Sequence, residues 1–108
     1  MTAAAALTLF TIELASACAQ LGMPAPAPAV VTVTSRKHYA YVLHTEGFEP
    51  EVHVARRLLE SGKADLVRCV ARHEAAHLAL GHHTVIPVGK NVRKMQEAEV
   101  DELTARIW

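Results

Sequence analysis

Arg72 to His83 reads R-H-E-A-A-H-L-A-L-G-H-H, with His73-Glu74-Ala75-Ala76-His77 at its centre. On a helix of about 3.6 residues per turn, side chains four apart stack one turn above another, so His73 and His77 offer two imidazole nitrogens to one point. Glu74, beside the first histidine, projects next to a cation held there rather than onto it. A carboxylate in that position reaches a metal-bound water, the arrangement of a zinc hydrolase in which the metal lowers the water pKa and the carboxylate takes the proton.

Working outward, Leu66, Val70, Ala76 and Leu80, with Cys69 and Ala79, recur on a helical period, which predicts a packed helix over Lys63 to Leu80. Asp65 sits near its positive end and Gly81 supplies the stop. A merely solvated histidine-rich helix, in a chain with seven histidines, would lack such a stripe. Histidines on a packed helix need a partner, and a metal ion satisfies two at once.

Upstream, Leu7, Phe10, Leu14, Cys18 and Leu21 are spaced for an amphipathic helix over residues 1–21. The same stretch resembles a signal peptide, with a cleavage-box-like Leu14 to Cys18, but no lysine or arginine precedes it and Glu13 interrupts it, which disfavours both targeting and a bilayer span. A cytoplasmic chain is the expectation, secretion the alternative. Residues 22–29, with three alternating prolines, form a stiff connector. Val30 to Thr34 and Tyr39 to His44 read as strands of an antiparallel hairpin. Val52 to Ala55 reads as a short third strand flanked by charge, as an edge strand tends to be. Arg56 to Lys63 carries Leu58-Leu59 and a glycine-closed turn, residues 82–91 a loop or weak extended segment, and Val92 to Trp108 a last helix with Gln96, Val100, Leu103 and Ile107 on one side. The expected fold is a single small α+β domain over residues 1–108: first helix, three-stranded sheet, motif helix, last helix.

A catalytic zinc takes three protein ligands and one open position. On the last helix Glu97 and Asp101 share a face, so one carboxylate can reach the metal while the other fixes a ligand histidine. Glu99 falls roughly opposite and reads as solvated. His83, six residues past His77, is a rival third ligand, and the residues alone leave the choice between it and Glu97 open. His82 and His83 otherwise read as helix-end residues near free carbonyls.

His73-Glu74-x-x-His77, followed by Glu97 twenty residues beyond the second histidine and Asp101 four further on, resembles the gluzincin metallopeptidases. The small size and the strands ahead of the motif are more similar to the minimal ImmA/IrrE-type members. The resemblance implies one Zn2+ per chain held by His73, His77 and Glu97, Asp101 orienting a histidine, and Glu74 as general base in peptide-bond hydrolysis. The implied partner is a peptide or protein substrate. An extended peptide is then expected to add a strand along Val52, His53 and Val54. The competing reading is a non-hydrolytic zinc domain with a regulatory or interaction role.

Composition removes other classes. Lysine plus arginine and aspartate plus glutamate each number 11 in 108 residues, and no basic run or aromatic-studded stripe points to nucleic acid or a membrane surface. Cys18 and Cys69 have no Cys-x-x-Cys partner, which excludes a cysteine zinc knuckle, and each reads as a small buried hydrophobe. His38, Tyr39, Tyr41, His44 and His53 either line a cleft or pack on the sheet. Arg68 and Arg72 are placed to meet carboxylates on the last helix, and Trp108 to close the site or cap the core.

Overall fold

The computed structural model describes residues 1–84 and 89–108. Its elements are α1 (Ala3–Gln20), β1 (Ala29–Val33), β2 (Ala40–Leu43), β3 (Glu51–Ala55), α2 (Arg56–Leu59), α3 (Ala64–Ala79), a 3-10 turn (His82–Thr84) and α4 (Lys90–Ile107). Part of the expected loop, residues 85–88, lies outside the described residues.

Both helices expected around the core form, and their ends show why. Thr2 caps α1, its hydroxyl accepting from the Ala5 amide at 3.1 Å. At the other end Gly22, at φ +77, turns the chain so that the Met23 and Gly22 amides reach the Cys18 and Ala19 carbonyls. Only glycine takes that turn without strain. Ala6, Phe10, Leu14, Ala17 and Cys18 are buried against α3 and the sheet. The α1–α3 contact is the most extensive in the molecule, and alanines on both helices keep side-chain bulk out of it.

The buried face of α3 only partly matches the expectation: Ala76 is buried, and Leu66 and Val70 pack on the core. Val67, Ala71, Glu74, Ala75, Ala76 and Leu78 are buried, whereas Cys69, Ala79 and Leu80 are exposed and Leu66 and Val70 only partly covered. The expectation weighted large side chains, but the helix turns its small ones toward α1, where approach is closest. Of the two cysteines, both free, only Cys18 is buried.

By length and mean hydropathy (1.4) α1 does meet the requirement for crossing a membrane, contrary to the reading that Glu13 disqualifies it. In this fold one face of it packs on the core, with Phe10 and Leu14 fully buried, and 28% of it is buried. Glu13 is not a defect in it, since the carboxylate accepts a 2.7 Å hydrogen bond from Arg72 Nε.

The sheet corrects two expectations. Its order is β1-β3-β2, with β1 parallel and β2 antiparallel to β3, so β1 and β2 do not form a hairpin and β3 is central. Val52 and Val54 have no exposed surface. The strand carrying the fully buried side chains also has the most buried backbone, whose donors and acceptors need partners on both sides. Val30, Val52 and Val42 align across one face and pack on the helices, while Val31, His53 and Tyr41 align across the other. With both edges of β3 occupied, Val52, His53 and Val54 have no free hydrogen-bonding edge for a peptide. Among the described residues, the unpaired edge beside α3 belongs to β2.

Candidate metal centre

Two helices converge at one point. α3 stacks His73 and His77 with Nε2 atoms 3.2 Å apart. α4 brings Glu97 across, Oε2 lying 3.0 Å from His73 Nε2 and Oε1 3.0 Å from His77 Nε2. The placement of α4 rests on few contacts. Val100 is its one buried residue among those described, and at its end Trp108 Nε1 donates to Gln20 Oε1 of α1 at 3.0 Å, under the Arg72 guanidinium. Arg72 thus joins α1 and the end of α4, and Arg68 pairs with Asp65 on its own helix; neither meets an α4 carboxylate.

The donor chemistry fits a cation. Three electron-rich atoms face one another, and at most one proton fits between the two Nε2 atoms. Zinc bonds of about 2.0–2.1 Å at tetrahedral angles separate ligand atoms by roughly 3.3 Å, close to the spacings present. Burial holds His77 below its usual pKa, opposed by Glu97 and assisted by His73 and His82, so its nitrogen is a free lone pair near neutrality.

Glu74 lies beside this cluster and is 5% exposed. Burial, and next the Glu97 charge, push its carboxyl up to about 8. It faces a cleft of about 460 Å³ bordered by His38 and the β2 residues Ala40, Tyr41 and Val42 on one side, and by α3 and Glu97 on the other. A larger hollow of about 1000 Å³, between the proline-rich connector and residues 43–51, has neither a histidine nor a cysteine in its wall.

The remaining candidates divide. His53 sits on the outer face of the sheet, 5.2 Å from Tyr41 ring to ring. His83 turns to His44, ring centroids 5.4 Å apart, leaving Glu97 as the third group on the histidine pair. Asp101 is exposed and shares a depression of about 280 Å³ with His73, Cys69 and Trp108, and its carboxylate accepts no hydrogen bond from either ring. One residue was missed. His82 Nδ1 lies 2.9 Å from His77 Nδ1, and its Nε2 lies 3.6 Å from Oε2 of Glu99, which is exposed as expected. The signal was Gly81: a helix stopped there by a left-handed residue turns the next side chain back toward its last turn.

Residues 8–105 match the sequence model of Peptidase family M48. No curated protein and no solved structure matches the chain.

Proposed function

The chain belongs to peptidase family M48, a family of metal-dependent peptidases, and on that premise we propose that it is a zinc-dependent endopeptidase of the minimal gluzincin kind. The observation that carries this reading is the meeting of His73, His77 and Glu97 within 4.8 Å of one another, beside a buried carboxylate and under a free strand edge. One Zn2+ held there would supply a Lewis acid for the scissile carbonyl and a water of lowered pKa.

The chain's own groups do the rest. Glu74 accepts the water proton and hands it to the leaving amine, a role suited to a carboxyl whose environment already raises its proton affinity. A cation held by His73, His77 and Glu97 would offset the Glu97 charge and favour the ionised, basic form of Glu74 against the burial that chiefly raises its pKa. β2 offers its outer backbone edge to an extended peptide, taking the role first expected of β3. The packing of α1 on the core, with Glu13 bonded to Arg72, supports a chain that folds with this helix attached and works in water, the cytoplasm being the proposed compartment.

The test is cleavage of a mixed peptide library with and without chelator. Glu74→Gln is expected to retain zinc and lose cleavage by about 10²–10⁴-fold, whereas His77→Ala loses both. Full zinc occupancy in the wild type with no chelator-sensitive cleavage would favour the non-hydrolytic zinc domain instead.

A further inference from the structure

We propose that His82 is a positioning residue for His77, with the Glu99 carboxylate 3.6 Å beyond its far ring nitrogen; the inference rests on the metal-site reading above. His77 Nε2 faces His73 and Glu97, so its lone pair is the one a metal would use. The ring proton must then sit on Nδ1, 2.9 Å from His82 Nδ1. With His77 donating, His82 Nδ1 is the acceptor and carries no proton. The proton of His82 therefore lies on Nε2, on the side of the ring facing Glu99 Oε2 at 3.6 Å. One tautomer at the metal end fixes every proton along the chain His77, His82, Glu99.

The fold builds this arrangement deliberately close to the helix end. Gly81, at φ +72, stops α3 and returns the chain so that His82 lies against the turn that carries His77. The His82 side chain is 11% exposed, which excludes most of the water that would otherwise bond His77 Nδ1. Glu99 comes from α4, the helix that also supplies Glu97, so one helix contributes both a ligand to the site and a carboxylate facing the group behind it. Asp101, on the same helix, has no comparable contact with a ring nitrogen.

Zinc affinity of the full chain, measured by competition with a chromophoric chelator, together with the visible spectrum of the Co2+-loaded protein, tests this. His82→Ala is expected to weaken zinc binding by roughly 10–100-fold and to shift the cobalt bands. His82→Asn places an amide oxygen where the acceptor nitrogen was and should recover most of the affinity; a purely space-filling role would not distinguish it by hydrogen bonding from His82→Leu, which is expected to remain weak. Glu99→Ala, at an exposed position, is expected to lose about 3–10-fold by the same logic. Wild-type affinity in His82→Ala overturns the proposal. If that variant fails to fold, wild-type affinity in Glu99→Ala overturns it, and a loss there supports it. Failure of the wild type itself to bind zinc would instead defeat the metal-site reading and this inference with it.

Discussion

The two faces of α3 hold different kinds of structure together. Toward α1 the contact is mainly apolar, with Phe10, Leu14, Val67, Ala71 and Ala75 fully buried and the Glu13–Arg72 pair at its margin. Toward α4 it is polar: Val100 is the one buried α4 residue among those described, and the seam otherwise consists of His73, His77, His82, Glu97 and Glu99. Burial of apolar surface is insensitive to pH and to metal, whereas a seam of histidines and carboxylates depends on both. One helix therefore belongs at once to a permanent core and to a conditional one.

The largest expected effect separates the two faces by substitution. Phe10→Ala should destabilise the fold by about 3–5 kcal/mol, the cost of a large cavity in a packed core, and should do so equally with and without zinc. Val100→Ala removes less volume and should cost about 1–3 kcal/mol, with zinc affinity falling alongside because α4 loses its apolar anchor. Denaturant melts of both variants, with and without metal, check the contrast; a Phe10→Ala deficit that zinc repairs would erase it.

A middle effect comes from chelation. Zinc at a hundredfold excess over its dissociation constant stabilises a fold by about 2.7 kcal/mol. Removing it from the loaded protein is expected to raise hydrogen exchange in α4 and around His82 while α1 keeps its protection. Uniform loss of protection would mean that the two faces unfold as one unit.

The smallest effect is pH dependence of the metal-free protein. Folded Glu74 keeps its proton up to about 8, while its ordinary value is 4.5. Between those values the folded state binds the extra proton, so stability falls as pH rises. His77 and His83, lowered from 6.5, act oppositely, adding stability as pH climbs toward 6.5. Above that point Glu74 alone sets the slope. The thermal midpoint of metal-free protein should decline between about pH 6.5 and 8, and the decline should vanish in Glu74→Gln. A midpoint that rises over this interval would place the buried proton elsewhere.

How much of this was legible depended on whether the signal was local. Helix α1 was readable because Phe10, Leu14 and Cys18 repeat on one face. The site was readable because His73, Glu74 and His77 fix each other within one turn, and because Glu97 keeps a spacing already associated with them. The buried stripe of α3 was partly misread, since alanines at 71 and 75 look weak in a sequence and become decisive only when a second helix comes close.

The sequence by itself determined the elements, the helical pairing of His73 with His77, and the nearby carboxylates, because backbone propensity and helical period act over a few residues. Only the tertiary structure decided that β3 lies between β1 and β2, that β2 borders the cleft, and that His82 stands behind His77. Those are contacts between segments far apart in the chain, chosen by which backbone groups must be buried and satisfied together. No periodicity within a single segment records that choice.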